Sequence, residues 1–183
     1  MLGPAFVEEL AAAAIGATFN QYAEGGRAPL LRRRLAEYLE ARTGARLLLV
    51  GEAPGYRGAR VSGIPFTSER QLTGAGPAEA SATVVQRVLA ALGLEERVLL
   101  WNVVPTHPGT ASSNRRPTRA EVDSSSQFLA TLARGRRVVA VGRVAERTLG
   151  VPSVRHPSHG GARAFRRGLV ELLDRGYLCP DPT

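Results

Sequence analysis

Four short segments carry residue types that could do chemistry, and each also has an ordinary structural reading. The first is Gly51-Glu52-Ala53-Pro54-Gly55, followed by Tyr56, Arg57 and Gly58. As scaffolding it is a tight strand-to-helix turn, in which glycine supplies permissive torsions and proline fixes one φ. As chemistry it is a cradle whose backbone N–H groups hold a small planar or anionic ligand. In Gly63-Ile64-Pro65-Phe66-Thr67 a lone aromatic stands behind a proline in a polar loop. It either packs into the core or offers a platform on which a nucleobase stacks. The third segment, Trp101-Asn102-Val103-Val104, interrupts an apolar run with an amide that must find partners once buried. Asn102 either fixes a nearby turn or presents donor and acceptor together to the edge of a base. The fourth is Arg155-His156-Pro157-Ser158-His159-Gly160-Gly161. A lone histidine is commonly structural, but His156 stands at an expected strand end with a rigidifying proline behind it, which strengthens the catalytic reading beside the structural one.

Composition removes several chemistries. All 24 basic residues are arginine, so a P-loop lysine and a lysine Schiff base are both unavailable, leaving the terminal amine as the one imine former. The single Cys179 excludes a disulfide framework, a cysteine-rich zinc site and an iron-sulfur cluster held by the chain. A net charge of +8 points to a polyanionic partner, since arginine forks pair with phosphates and release counterions, or else to a solvated basic surface. Hydrophobic residues at 44% and charged residues at 22% are ordinary globular usage, against disorder throughout. No apolar run approaches the roughly 20 residues that span a bilayer. Met1 to Ala17 lacks a basic leader and carries Glu8 and Glu9, so a cytoplasmic location is expected. The 183 residues suit one domain, with a helical region over 1–45 packed on its core.

The elements that must position the four segments follow from periodicity. An N-terminal helix is expected near Pro4, and a second from about Pro29, with Leu30, Leu31, Leu35, Tyr38 and Leu39 on one stripe before Gly44. Arg46 to Val50 reads as a strand buried on both faces, and further strands are expected over Arg97 to Val104, Arg137 to Val141 and around Val154. Helix-period segments separate them: Ser81 to Leu92, Thr118 to Leu132 opening on a Thr118-x-x-Glu121 capping box, and Val144 to Leu149. A last helix runs from about Ala162 to Arg175. Alternation of this kind implies an open parallel sheet covered by helices, with ligands bound beyond the carboxyl ends of the strands. The connections Gly51 to Glu79 and Pro105 to Pro117 are long, as functional loops are.

Taken in order, Gly51-Glu52-Ala53-Pro54-Gly55, Pro65-Phe66, Asn102-Val103-Val104, Asn114-Arg115-x-Pro117 and His156-Pro157-Ser158 resemble the uracil-DNA glycosylase superfamily, nearest to its iron-sulfur branch. The resemblance covers about residues 46 to 175. It implies a three-layer α/β/α sandwich with a central four-stranded parallel sheet. It also implies cleavage of the bond joining uracil, or a related deaminated base, to deoxyribose, with the base flipped out of DNA. In that chemistry an oxocarbenium-like sugar forms while negative charge builds on the base O2, so donors aimed at O2 matter most. By resemblance His156 donates to O2, helped by main-chain N–H groups near Glu52 and Ala53. Asn102 pairs with N3–H and O4, a match that cytosine reverses. Phe66 stacks on the base, with Gly51 and Gly55 beside it. Ser158 and His159 to Arg163 lie where the superfamily has a loop that enters the duplex, Arg163 being long enough to plug it. Arg57, Arg115, Arg116, Arg166 and Arg167 are candidates for phosphate contacts.

Three departures qualify the resemblance. One cysteine cannot hold the four-cysteine cluster, so a cluster-free relative with no cofactor or metal is expected. Ala53 stands where strongly water-activating branches have Asp or Asn, leaving main chain or Glu52 to hold the water. Gly55 stands where a tyrosine excludes the thymine methyl, and Tyr56 is the nearest replacement. The expectation is therefore a monofunctional, monomeric DNA glycosylase. A non-catalytic DNA or damaged-base binding module of the same fold is the alternative, and a small-nucleoside hydrolase, which needs no such positive charge, comes third.

Overall fold

The structure, a computed structural model, describes residues 3–177. Cys179 and the last residues of the chain lie outside that range. Four parallel strands form the central sheet: β1 (Leu47–Gly51), β2 (Val98–Asn102), β5 (Arg137–Val141) and β6 (Ser153–Val154), in the order β2-β1-β5-β6. These are the four strands read from the apolar runs. β2 is shorter than its apolar run because its partner β1 ends at Gly51, which lies opposite Asn102 in the register. The ladder trails on only through Val103 N–H to the Gly51 carbonyl (2.8 Å) and Val104 N–H to that of Glu52 (3.1 Å).

Side chains of the strands alternate faces, as the period of two requires. Leu48, Val50, Leu99, Trp101 and Ala140 join a core with α1 (Pro4–Ala12), α2 (Ala28–Ala41), α6 (Arg119–Ala133) and α7 (Arg143–Leu149). Leu47, Leu49, Val98, Leu100, Val139 and Val141 face the other way, toward α5 (Ala80–Ala91) and α8 (Ala162–Asp174). The result is the expected α/β/α sandwich. Five fully buried positions in each of β1 and β2 are what a sheet covered on both faces demands. Thr118 caps α6 as expected, its side chain accepting from Glu121 N–H while Glu121 reaches back to Thr118 N–H.

The two long connections are more ordered than their composition predicts. That after β1 contains α3 (Ala59–Ser62) and α4 (Glu69–Thr73), and that after β2 contains a small hairpin, β3 (Gly109–Thr110) with β4 (Ser113–Asn114). Buried Glu69 explains the first, since it is held by Arg27 at 2.7 Å and Arg34 at 2.8 Å from α2 and its approach. The second is pinned by the N-terminal region. Phe19 and His107 exchange backbone hydrogen bonds, Gln21 donates to the Pro105 carbonyl (2.9 Å), and the Thr18 and Thr106 hydroxyls meet at 2.6 Å. Asn20 in turn donates to the Leu10 carbonyl at the end of α1 (2.9 Å). The helical N-terminus therefore packs on the core and also holds a loop at the carboxyl edge of the sheet.

Candidate active site

The strand ends deliver the four segments to one place. The connection leaving β1 leads to the face covered by α5 and that leaving β5 to the face covered by α7, and a cavity of about 300 Å³ lies beyond the carboxyl ends of β1, β2 and β6. Its wall includes Glu52, Ala53, Gly55, Phe66, Asn102 and His156, all proposed from sequence, together with Arg115 and Arg116.

Gly51 makes this convergence sterically feasible. A Cβ there would overlap the Phe66 ring and come within 2.9 Å of Asn102 Oδ1, so its absence lets ring and carboxamide close over the strand end. Asn102 is 4% exposed at the last position of β2, with its side chain turned to the cavity. Phe66 has a positive φ of 51°, an uncommon state for a non-glycine residue. Gln86 of α5 secures it by donating to the Phe66 carbonyl (3.1 Å) and to the Thr67 hydroxyl (3.0 Å). Strain stored beside a cavity is typical of functional loops.

His156 follows β6, and its ring is oriented by Ser158. The Ser158 N–H donates to Nδ1 (3.2 Å) and the Ser158 hydroxyl lies 2.8 Å from the same atom. A backbone donor on Nδ1 makes that atom an acceptor, so the neutral ring carries its proton on Nε2. Burial pushes the imidazole below its ordinary pKa, and the charges of Arg155 and His159 act in the same direction. Neutral His156 therefore offers an Nε2–H donor, for which the described residues provide no protein acceptor. Two glycines accommodate it: Gly142, with φ of +88°, lies under its Cβ, and a Cβ on Gly161 would overlap its carbonyl.

Glu52 is half-buried, and burial lifts its carboxyl above the usual carboxylate range against the opposing charge of Arg116. Glu52, Arg116 and His156 also border a second cleft of about 250 Å³, whose rim adds Arg143, Arg155, Ser158 and His159. Arg57, Arg163, Arg166 and Arg167 are exposed. Arg115 is committed elsewhere. Its guanidinium forks onto the buried Glu121 carboxylate, with one arm at 2.8 Å, and holds that carboxyl down to about 2. Much of its charge is thereby spent on capping α6. Tyr56 does not line the cavity; its N–H is held by Asn114 Oδ1 (2.9 Å) and its ring lies beneath Arg57. The space beside Gly55 is instead filled by Glu79, at the head of α5.

Two contributors went unread in the sequence. His107 is fully buried, with Nδ1 2.7 Å from the Pro54 carbonyl and Nε2 2.8 Å from that of Thr110, so it staples the loop after β1 to the loop after β2. Glu79 reaches the cavity across the bare faces of Gly55 and Gly58, and those two closely spaced glycines were the available signal. Among the described residues no cluster of three or more His, Cys, Asp or Glu is arranged to hold a metal ion.

A fold of this kind has a known counterpart. Residues 39–172 match the uracil DNA glycosylase superfamily, and the chain belongs to it. Among solved structures it is similar to SMUG2 of Pedobacter heparinus, with a TM-score of 0.66 at 14% identity, covering 94% of this chain and 98% of that one. No curated protein sequence matches it.

Proposed function

We propose that the protein hydrolyses the N-glycosidic bond of uracil or a related deaminated base in DNA and leaves an intact abasic site. The observation that carries this reading is the meeting of a neutral His156 donor, the Asn102 carboxamide and the Phe66 ring in one small cavity. As the C1′–N1 bond lengthens, its electron pair passes to the base and charge gathers on O2. The His156 Nε2–H and the amide hydrogens at Glu52 and Ala53 are the donors that meet it, without burying a second full charge. Asn102 accepts from N3–H and donates to O4, while Phe66 stacks on the ring. Glu52, once ionised, takes a proton from the water that attacks C1′, the part that Ala53 has no atoms to play. A chain without lysine lacks the usual amine for strand nicking, which makes the reaction monofunctional.

The partner is DNA with its damaged base extruded, held by the arginine-rich rim around the second cleft. No helix among the described residues is long and apolar enough to cross a membrane. We read the chain as a single-domain, cytoplasmic monomer. Ala53 favours one competing reading, a module of the same fold that binds damaged DNA without cutting it.

Oligonucleotides bearing uracil, hypoxanthine or xanthine, in single and double strands, separate the two when treated with the protein and then with hot alkali. Cleavage at the lesion is expected. Binding without cleavage at any lesion would establish the module instead.

A further inference from the structure

Several arginines are spent on the protein itself. Arg27 and Arg34 pair with Glu69, Arg115 pairs with Glu121, and Arg136 donates to the Thr43, Ala45 and Leu132 carbonyls. Arg60, in α3, is different. It is half-buried, and its guanidinium carbon lies 4.6 Å from the centroid of the Phe19 ring, the closest of the four arginine–aromatic stacks among the described residues. No hydrogen bond or ion pair engages that guanidinium: Nε is buried without an acceptor, and the terminal amines are left open. Packing on a ring, not hydrogen bonding, sets its orientation.

Both halves of the stack are tied to the cavity wall. The Arg60 N–H donates to the Gly55 carbonyl (3.3 Å), and Gly55 and the neighbouring Ala59 are wall residues. Phe19 exchanges backbone hydrogen bonds with His107 at 2.9 and 3.0 Å, and the wall resumes at Pro108. The basic cleft beside His156 includes none of Gly55, Ala59 and Pro108, so the stack is a separate cationic feature. A ring that covers one face of a guanidinium leaves the N–H donors in the plane free, and those are the donors with which arginine takes a phosphate. In a chain of net charge +8, with no carboxylate paired to Arg60, the acceptor that fits is an anion from outside.

We propose that Arg60, held on Phe19, contacts a backbone phosphate of DNA beside the extruded nucleotide. The contact is made from the loop after β1, apart from the arginines of the basic cleft. Phe19 is its positioning residue. A carboxylate that orients an arginine also cancels its charge, as Glu121 does for Arg115, whereas an aromatic ring orients the cation and leaves the charge in place.

The inference rests on DNA as the partner and not on bond cleavage, so its test is a binding measurement. The full chain is titrated onto a duplex carrying 2′-fluoro-2′-deoxyuridine opposite guanine, whose fluorine disfavours the oxocarbenium sugar and keeps the substrate whole. Arg60→Ala should weaken binding about tenfold or more and lower the magnitude of the slope of log affinity against log salt by about 0.9. Arg60→Lys returns the charge and should return the slope. A merely structural defect would reduce the fraction of active protein and leave the slope alone. Phe19→Leu, which keeps an apolar side chain without a π face, should weaken binding when Arg60 is present and add little to Arg60→Ala; independent effects would overturn the role given to Phe19. A methylphosphonate scan locates the contact. At one linkage beside the analogue the neutral group should weaken the unsubstituted protein and leave Arg60→Ala nearly indifferent. The proposal is overturned by an unchanged slope in Arg60→Ala, or by a scan in which every linkage costs the two proteins alike. Binding of this kind with no excision of uracil would overturn the reaction and leave the contact standing, and failure to bind any duplex would overturn both.

Discussion

His107 and His156 show how one side chain type is put to two uses within one loop system. His107 is fully buried and both of its ring nitrogens lie against backbone carbonyls, so it has nothing left to offer a ligand. His156 has one nitrogen tied to Ser158 and the other directed at a cavity. The difference lies in hydrogen-bond saturation more than in burial. A saturated imidazole fixes loops, and a half-saturated one is oriented yet available.

The largest effect that could break this comparison is on rate. His156→Ala should slow single-turnover excision by about 10²- to 10³-fold, as loss of one oriented oxyanion donor does, while changing stability by about 1 kcal/mol or less. An unaltered rate would remove His156 from the reaction. The mirror image is His107→Ala, which removes the ring lying between the Pro54 and Thr110 carbonyls and leaves at least one of them without its donor in a buried site. It should cost about 2 to 4 kcal/mol in denaturant unfolding. A His107 variant of undiminished stability would mean that it is no staple.

Acidification sharpens the contrast between His156 and Glu52. The imidazole is held below its ordinary pKa, so its neutral Nε2–H tautomer persists to lower pH than that of a free histidine, and any inflection it gives excision should be displaced downward from the ordinary histidine value. Glu52 is shifted upward and must be ionised to accept the proton from water. Its acidic limb should therefore lie above the ordinary carboxylate value and should disappear in Glu52→Gln along with most of the rate. A limb that survives in Glu52→Gln would assign the base to another group.

The pattern of what the sequence reveals follows the range of the contacts involved. Leu47 to Val50 is legible as a strand because burial on two faces leaves an uninterrupted apolar run, and the Thr118–Glu121 cap is legible because both partners lie within one turn. Asn102, Phe66 and His156 stand out because each breaks its local context at a strand end or loop. His107 does not stand out, since its meaning comes from a carbonyl 53 residues away. Glu79 is hidden for the same reason: it meets the cavity only where the head of α5 crosses two glycines of an earlier loop. The pairing of Arg115 with Glu121 has no local signature either, because it depends on one carboxylate having acceptor sites for both the cap and a guanidinium.

A smaller effect tests how His156 is oriented. Ser158→Ala keeps the backbone donor on Nδ1 and removes the hydroxyl, one hydrogen bond worth about 1 kcal/mol, or roughly fivefold in rate. His159 touches the same hydroxyl at 3.1 Å, so the loss should also free the His159 ring. Ser158→Gly, which loosens the backbone donor too, should be slower than Ser158→Ala. Equal rates would mean that the main-chain contact does not fix the tautomer.

Two adjacent arginines are distinguished by the same logic of saturation. Arg115 is engaged by Glu121, whereas Arg116 is exposed and borders both the cavity and the basic cleft, with only a long-range influence on Glu52. A phosphate contact releases counterions, so removing one lowers the magnitude of the slope of log affinity against log salt by about 0.9. Arg116→Ala should show that change and leave the unfolding midpoint in place. Arg115→Ala should leave the slope nearly intact and lose about 1.5 to 3 kcal/mol of stability, because it strips a charged partner from a buried carboxylate. Filter binding across a salt series and urea unfolding of both variants would decide it. If the two arginines exchange these signatures, saturation by Glu121 does not govern which side chain DNA can recruit, and the rim must be redrawn around Arg115.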